Sequence, residues 1–167
     1  MRYAPAAAAL SLLVAVSASV SSGAEREPDP RAAMLIAQGD AALKAGDAQG
    51  AVDAYEAALA IDPGYTPIVV QLAEAARADG LQGKAIRYYR EALSRDPDNL
   101  AAISGEGEAL VEKGAIEKAR RNLARLESMC GASCNETRTL AVAIAEGPKK
   151  PVYTAEAMTP DVSVSQN

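Results

Sequence analysis

The segment GDAQGAVDAYEAALAIDP at 46–63 is followed, 34 residues further along the chain, by a related segment, GLQGKAIRYYREALSRDP, at 80–97. A third and more divergent copy, GAIEKARRNLARLESMCG, occupies 114–131. Each copy begins with glycine, has alanine at its sixth position, and has Tyr, Tyr or Leu at its tenth. A fixed period of this length is typical of proteins in which one supersecondary unit stacks on the next. The sequence therefore predicts a stack of similar units rather than one closed core.

The first and last residues of each copy predict where helices end. Glycine adopts the left-handed conformation that commonly closes a helix, so we expect Gly46, Gly80 and Gly114 to end the first helix of each unit. Proline cannot continue a helix, so Pro63 and Pro97 are expected to end the second helix of the first two units. Alanine, the best helix former, occupies 38 of the 167 positions. The predicted fold class is all-α.

Other repeated positions predict how the helices pack. The rings of Tyr55 and Tyr89 are expected to fill the gap between one unit and the next, where a buried hydroxyl needs a partner. Small residues are expected where the two helices of a unit approach most closely, because a larger side chain would push them apart. These small residues are Gly39, Ala73, Gly107, Ala51, Ala85 and Ala119.

These repeated positions resemble the tetratricopeptide repeat (TPR), with its small residue, glycine turn, alanine, aromatic residue, second alanine and closing proline. The resemblance covers 32–133 and implies a three-repeat TPR helix–turn–helix solenoid with a C-terminal capping helix. The TPR domain is predicted at 31–146, with repeats at about 32–65, 66–99 and 100–133 and a cap helix at 134–146. Helices are predicted at 31–45, 48–62, 66–79, 82–95, 100–113 and 116–129, followed by the cap helix.

Two short signals predict where helices begin. Thr66 before Pro67 is typical of an N-cap followed by proline at the first helical position. Ser133 with Glu136 resembles a capping box at the start of the cap helix. Both signals predict a side chain that satisfies the open backbone N–H groups of a first turn.

The third repeat departs from the pattern of the first two. Glu106 takes a position that is usually apolar, and Leu123 replaces the aromatic residue. The last repeat of a solenoid needs a cover for its apolar face. The cap helix, which carries Leu140, Val142 and Ile144, is expected to provide that cover.

The amino-terminal sequence resembles a targeting signal. Arg2 precedes an apolar stretch at 6–16, and small residues follow up to Ala24. These are the three regions of a secretory signal peptide, predicted at 1–24 with cleavage before Glu25. A retained membrane anchor is the lesser alternative, because the apolar stretch is shorter than the roughly 20 residues of a spanning helix. The protein is expected to be exported, periplasmic or secreted, with no transmembrane segment after signal cleavage.

The segments that flank the predicted TPR domain carry no helical period. Residues 25–30 are predicted as a flexible lead-in, and residues 147–167 as a disordered tail that contains three prolines. Removal of 1–24 takes away one basic residue, Arg2, and leaves 16 basic and 22 acidic residues. The mature chain is therefore acidic.

Composition excludes several classes of function. The full chain has a net charge of −5 and no basic excess, which argues against nucleic-acid binding. It contains no histidine, so histidine triads, histidine proton shuttles and histidine–zinc sites are excluded. The sequence has no glycine-rich phosphate loop after a strand, no nucleophile elbow and no metal-ligand cluster. We therefore expect no enzyme activity, no cofactor and no metal.

The two cysteines, Cys130 and Cys134, have three residues between them and lie between the last repeat and the cap helix. In an exported protein a close pair favours a disulfide, which would join the cap to the last repeat and contribute on the order of 2 kcal/mol. Free thiols, a redox pair and a metal site are the alternatives. The spacing is not C-x-x-C, and a zinc site would need about two further ligands. The C-x3-C placement also resembles that of exported proteobacterial TPR proteins.

In the TPR family the first helices line a concave groove that usually holds an extended or helical peptide of another protein. This resemblance implies that the partner-binding residues are Ile36, Asp40, Leu43, Lys44, Val70, Glu74, Arg77, Ser104, Glu108, Val111 and Glu112. The groove is expected to offer apolar contacts among charges of both signs. The chaperone-binding subgroup clamps a terminal carboxylate with Lys and Asn, and that clamp is not supported because acids dominate and the first helices lack Asn within their bodies.

Two charged sets have both a functional and a purely solvated interpretation. Acids of the first helices could act as an acid–base pair only in a cleft that shifts their pKa values, so solvated or partner-contacting groups are expected. These acids are Asp40, Glu74, Glu108 and Glu112. Lys118, Arg121 and Arg125 share one face of the sixth helix and could meet an acidic surface, although a solvated outer face is the preferred interpretation.

The leading hypothesis is a non-catalytic periplasmic adaptor that binds a protein or peptide on its concave face and helps assemble an envelope or secretion complex. A structural module that self-associates, without a dedicated peptide ligand, is the first alternative. A thiol redox accessory that uses Cys130 and Cys134 is the second. No nucleic-acid partner is expected, and formation of a homo-oligomer is neither predicted nor excluded.

Overall fold

A computed structural model describes residues 26–148 of the chain. Seven helices and no strand occur within this range, which confirms the all-α fold. They are α1 (Pro30–Lys44), α2 (Ala48–Ile61), α3 (Thr66–Ala78), α4 (Gln82–Arg95), α5 (Leu100–Glu112), α6 (Ile116–Cys130) and α7 (Asn135–Glu146). Every helix end lies within one residue of its predicted position. The predicted signal peptide and all but two residues of the predicted tail lie outside the described residues.

The three repeated glycines end the first helix of each unit, as predicted. Gly46, Gly80 and Gly114 have φ angles of 83°, 75° and 77°, in the left-handed region that side chains disfavour. Each donates its backbone N–H to a carbonyl three residues earlier, at 2.8 to 3.1 Å. The chain therefore reverses direction at the same place in each unit, which lets the helix pairs stack in register.

Side chains cap some helices, although not where two of the sequence signals predicted. The Asp47 carboxylate and the Asn99 amide oxygen accept backbone N–H bonds of 2.8 and 2.9 Å in the first turns of α2 and α5. The N-cap of α3 is Tyr65, one residue before Thr66, and its side chain makes no capping bond. The predicted Thr66 cap is wrong because the helix already includes Thr66 and holds Pro67 in its first turn, where a missing N–H costs nothing.

The predicted capping box at the start of α7 is also wrong. The N-cap of α7 is Cys134, which makes no side-chain capping bond. Ser133 precedes the N-cap, so Glu136 lies at the second helical position instead of the third. The two side chains are therefore one residue out of step with the reciprocal bonds of a capping box.

The helices pack as successive pairs, with a second row of contacts between first helices. Each helix from α1 to α7 contacts its neighbour in the chain, and α5 also contacts α3 and α7. The apolar interior forms two clusters that meet at the side chains of Leu59 and Tyr88. The middle helices are the most enclosed, because α3 and α5 have neighbours on both sides.

The repeated Tyr and Ala residues lie inside this stack, as predicted. Tyr55 and Tyr89 are among the largest fully buried side chains, and Ala51, Ala85 and Ala119 have no exposed surface. An ideal Cβ at Gly39 would lie 2.5 Å from Cε1 of Tyr55. Glycine is therefore required at residue 39 because a tyrosine ring packs directly on its backbone.

The cap helix packs against Gly107 of the third repeat, a residue that the sequence predicted to contact α6. An ideal Cβ at Gly107 would lie 2.5 Å from Cδ2 of Leu140. Gly107 is thus small to admit the cap helix, rather than to admit α6 of its own repeat. Leu140 is fully buried, but Val142 is 56% exposed and does not belong to the cover.

The unusual glutamate of the third repeat is buried and paired. The Glu106 carboxylate accepts hydrogen bonds from Arg90 at 2.7 Å and from Asn122 at 3.0 Å. Arg90 lies on α4 and Asn122 on α6, so this carboxylate links three consecutive helices. An acid can take an apolar position here because both neighbours supply donors.

Candidate binding surface on the inner helices

The first helix of each repeat and the cap helix line one continuous surface, called here the inner face. It contains three open depressions, with volumes of about 290, 180 and 220 Å³ in order from α1 to α7. Glu74 lines the first and second depressions, and Arg77, Glu108 and Thr139 line the second and third. Because neighbouring depressions share residues, they form one groove across α1, α3, α5 and α7.

Each first helix contributes one acid to this groove at the same repeat position. Asp40, Glu74 and Glu108 are spaced by 34 residues, and each lines at least one depression. Lys44 and Arg77 are the two cations of the groove lining, against six acids. The inner face therefore carries charges of both signs, as the sequence predicted, with a clear excess of negative charge.

The positive charge of Arg77 is neutralised within the groove. Its guanidinium lies 2.8 Å from a Glu108 carboxylate oxygen and 3.0 Å from a Glu112 carboxylate oxygen. These carboxylates raise the pKa of Arg77 against the effect of burial, which lowers it. A ligand that approaches the centre of the groove therefore meets little uncompensated positive charge.

Glu74 differs from the other acids near the centre because nothing pairs with it. Its carboxylate makes no hydrogen bond or ion pair with any residue of 26–148. Partial burial is the largest cause that raises the pKa of Glu74; the charge of Arg77 lowers this pKa, and the like charges of Glu108 and Asp40 raise it further. This carboxylate would gain from an additional cation.

The two repeated tyrosines reach the groove with different hydrogen bonding. The Tyr55 hydroxyl donates to Asp40 at 2.7 Å, and the Gln71 amide donates to the same carboxylate oxygen at 3.4 Å. Tyr89 is fully buried and its hydroxyl makes no hydrogen bond of normal geometry within 26–148, although it lies close enough to Arg77 for that guanidinium to lower its pKa. Burial is the largest cause of a raised pKa at both phenols.

Nine of the eleven predicted binding residues line the groove. They are Asp40, Leu43, Lys44, Glu74, Arg77, Ser104, Glu108, Val111 and Glu112. Val70 is only 8% exposed and packs in the core, because α3 has neighbours on both sides. Ile36 is partly buried against the first core cluster, and neither residue lines a depression. Ser104 and Val111 line depressions but are themselves buried, so they shape the floor rather than offer a free surface.

The sequence did not predict the part of the groove that α7 provides. Thr139, Val142 and Glu146 line the third depression, and Val142 is its most exposed apolar side chain. The cap helix was assigned only a covering role. Leu140 and Val142 are two residues apart, which places them on opposite faces of a helix, and this spacing was the available signal that α7 also has an outer surface.

Cys130 and Cys134 form a disulfide in the structure. It joins the last residue of α6 to the N-cap of α7. The Thr137 hydroxyl lies 3.0 Å from the Cys134 sulfur. With Glu136 these sulfurs are the one group in 26–148 with three potential metal ligands close together, but sulfurs bonded to each other are not thiolate ligands.

The repeat pattern and the stacked helix pairs can now be compared with known proteins. The family model described as "Tetratricopeptide repeat" matches residues 42–81 and 76–128. The chain belongs to the tetratricopeptide repeat family. A search of curated proteins finds no match.

Solved TPR structures have the same fold. The Sgt2 TPR domain of Aspergillus fumigatus is 23% identical, with a TM-score of 0.63, 83% of this chain covered and 94% of that chain. The TPR2B domain of yeast Sti1, in a complex with pHsp70, is 19% identical, with a TM-score of 0.64 and coverages of 71% and 98%. The type III secretion chaperone SycD of Yersinia enterocolitica, in complex with a peptide of the translocator YopD, is 18% identical, with a TM-score of 0.61 and coverages of 71% and 89%.

The helices of 26–148 were also assessed as membrane spans. Not one of them combines the length and the apolar character that crossing a bilayer requires.

Proposed function

We propose that this TPR protein is a non-catalytic adaptor that binds a segment of another protein on its inner face. The observation that carries the proposal is the groove itself, which runs across α1, α3, α5 and α7 and is lined largely by charged side chains that the core does not use. A helical stack buries its apolar surfaces between neighbouring repeats and leaves such a face available for a partner. The structural relatives support a peptide ligand, since SycD was solved with a peptide of YopD.

The proposal places the adaptor in the periplasm, where it would help assemble an envelope or secretion complex. Two features support export: the signal-like sequence at 1–24 and the Cys130–Cys134 disulfide, a bond that persists in oxidising compartments. The mass of the protein recovered from fractionated cells tests this. A periplasmic chain that begins at Glu25 is expected, and a cytoplasmic chain that retains 1–24 would contradict export.

The side chains on the inner face support binding rather than catalysis. Arg77 is held by two carboxylates, Asp40 accepts hydrogen bonds from Tyr55 and Gln71, and the chain has no histidine. The groove is open and shallow, which leaves a reacting group in contact with water. It suits an extended segment that makes several contacts along its length.

Photo-crosslinking in intact cells tests where the partner binds. A photoreactive residue at Lys44 or Thr139, both exposed on the inner face, should capture a second protein that mass spectrometry can identify. The matched control places the same residue at Arg121 or Glu127, which are exposed on α6. Capture of the partner from the α6 positions alone would refute the inner-face assignment.

A pair of surface variants tests the same assignment in purified protein. Val142→Arg adds bulk and charge to the exposed end of the groove and should weaken binding of the captured partner at least tenfold. Met34→Arg makes the same change at a residue that is 68% exposed and lines none of the three depressions. Val70 is unsuitable for this test because a charge there would unfold the core. If the two variants bound the partner equally well, the assignment of the groove as the binding site would be rejected.

Self-association is the second candidate, and the distribution of charge favours it. Basic residues concentrate on two of the three second helices, with four on α4 and four on α6, while acids line the inner face. The α6 face of one copy could therefore meet the groove of another. Sedimentation over a range of protein and salt concentrations tests this: a mass that rises at low salt would support it, and a constant monomer mass would exclude it.

A further inference from the structure

The centre of the inner face contains two groups with unused electrostatic or hydrogen-bonding capacity, and they lie in the same depression. Glu74 is unpaired, and its carboxylate is close enough to Glu108 for the two charges to repel. The Tyr89 hydroxyl is fully buried and lacks a hydrogen-bond partner among residues 26–148. Unsatisfied buried hydroxyls are rare in folded proteins because each costs free energy.

The Tyr89 hydroxyl is directed to the floor of this depression by its contact with α5. A Cβ built at Gly105 would lie 2.5 Å from the hydroxyl oxygen, so the polar end of the ring rests on the backbone at Gly105. Gly105 and Tyr89 both line the second depression, with Glu74 and Glu108 on its walls. The depression thus combines three carboxylates, those of Glu74, Glu108 and Glu136, and one guanidinium, that of Arg77, with an oxygen that can accept a hydrogen bond.

The charge balance of this depression favours a cationic occupant. Arg77 makes ion pairs with Glu108 and Glu112 and acts on Glu74 without an ion pair, which leaves these three carboxylates with one cation. An incoming carboxylate or phosphate would meet Glu74 and would have to compete with two carboxylates for Arg77. An ammonium or guanidinium group would instead supply N–H donors and positive charge to a site that has surplus acceptors.

We propose that the inner face recognises an extended segment of a partner protein through a Lys or Arg side chain that binds between Glu74 and Glu108 above the Tyr89 hydroxyl. The proposal rests on the proposed adaptor function and names the chemistry of its ligand. Leu43 in the first depression and the exposed Val142 in the third offer apolar contacts on either side of the acidic centre. The ligand is therefore a basic residue with apolar residues to both sides.

Selection from a randomised peptide library, displayed on phage and panned against the full mature protein, tests the ligand chemistry. The expected result is enrichment of peptides with a central Lys or Arg, whose binding weakens as the salt concentration rises. Enriched peptides that crosslink from residue 139 but lack a basic residue would overturn this inference and leave the adaptor function standing. A selection that enriches no peptide, or only peptides that bind outside the inner face, would overturn both.

Substitutions of the two central groups test the site with the best enriched peptide. Glu74→Gln removes a charge without breaking any bond of the folded structure and should weaken binding about tenfold, which corresponds to about 1.4 kcal/mol. Glu127→Gln, an exposed residue on α6, is the matched control and should bind as the parent does. Equal affinities for the parent and Glu74→Gln would refute the site.

Tyr89→Phe tests the hydroxyl with little change of shape. The variant should bind the peptide a few-fold more weakly although it folds at least as stably as the parent, since it loses an oxygen that has no partner in the structure. A purely structural role of Tyr89 would change folding and binding in the same direction. Unchanged affinity with raised stability would remove the hydroxyl from the recognition site.

Discussion

The first and second repeats place a tyrosine at the same position, yet the two hydroxyl groups are in different environments. Tyr55 in α2 donates to Asp40 on the first helix of its own repeat. Tyr89 in α4 is as deeply buried, and its hydroxyl has no partner within 26–148. Because the backbone architecture repeats, the difference must come from the neighbouring side chains.

The residues around the two rings differ at three equivalent positions: Gly39, Asp40 and Gln71 of the first site correspond to Ala73, Glu74 and Gly105 of the second. Gly39 lies on the first helix of the first repeat, and the Tyr55 ring packs on it beside Asp40. The equivalent residue of the second repeat is Ala73, and the nearest glycine is Gly105, on the next repeat. The Tyr89 ring therefore packs against the following repeat. A solenoid can thus keep one fold while substitutions at a few repeated positions decide whether a buried hydroxyl has a hydrogen-bond partner.

The largest predicted effect comes from filling the space beneath each ring. Gly39→Ala and Gly105→Ala would each place a methyl group within 2.5 Å of a tyrosine, and each should lower the free energy of unfolding by about 2–3 kcal/mol. Gly83→Ala is the matched control, since a Cβ there meets only the flexible end of Lys113 at 3.9 Å. Urea unfolding measures all three, and parental stability in Gly105→Ala would contradict the close packing of Tyr89.

The two ends of the stack are held by different contacts. A disulfide restrains the carboxyl-terminal repeat, and an ion pair between Arg26 and Asp62 restrains the amino-terminal end. The double variant Cys130→Ser, Cys134→Ser should lose about 2 kcal/mol of unfolding free energy, as the closure of a short loop predicts. Arg26→Gln should lose less, because Arg26 is exposed to solvent. In protein isolated from the periplasm, both cysteines should resist thiol labelling until they are reduced, and ready labelling would oppose the disulfide and favour a redox role.

Removal of the tyrosine hydroxyl should affect the free energy of unfolding differently in the first and second repeats. Tyr55→Phe should lower the free energy of unfolding by about 1 kcal/mol, because it breaks the hydrogen bond to Asp40. Tyr89→Phe should leave the free energy unchanged or raise it by up to about 1 kcal/mol, because no hydrogen bond is lost. Equal losses in the two variants would mean that Tyr89 also has a partner in the folded protein.

The smallest effect is a pH dependence at Glu74, for which only the sign is predicted. Because its pKa is raised in the folded protein, the folded state favours the neutral acid, and the stability present at acidic pH is lost as the pH rises through that pKa. Glu74→Gln should therefore gain stability over the parent between acidic and neutral pH. Glu127→Gln should show no such trend. If the stability difference between Glu74→Gln and the parent decreased toward neutral pH, the raised pKa of Glu74 would be contradicted.

The sequence predicted the helices well because the information that ends them is local. Glycine at 46, 80 and 114 and proline at 63 and 97 act through their own backbone preferences, so the period of 34 residues was enough to place the helices within one residue. The Thr66 cap and the Ser133 capping box failed because a shift of one residue in a helix start changes every capping position.

The binding surface could be predicted only in part, because it depends on packing between repeats. Repeat position identified the acids at 40, 74 and 108. It could not show that Val70 is enclosed by neighbours on both sides of α3, or that Val142 projects from the cap helix. The missing hydrogen-bond partner of the Tyr89 hydroxyl depends on how the residues of α3 and α5 pack around it. That information becomes visible only when the two helices are placed together.

The central claim is that the inner face binds a partner through its acidic centre. Titration of isotopically labelled mature protein with the best enriched basic peptide, followed by backbone amide NMR, tests it most directly. Saturable shifts should concentrate at Leu43, Glu74, Glu108 and Thr139, with little change on α4 and α6. Chemical-shift changes confined to α4 and α6 would contradict the account. The same would follow if Glu74→Gln gave the same shift changes and the same affinity as the parent.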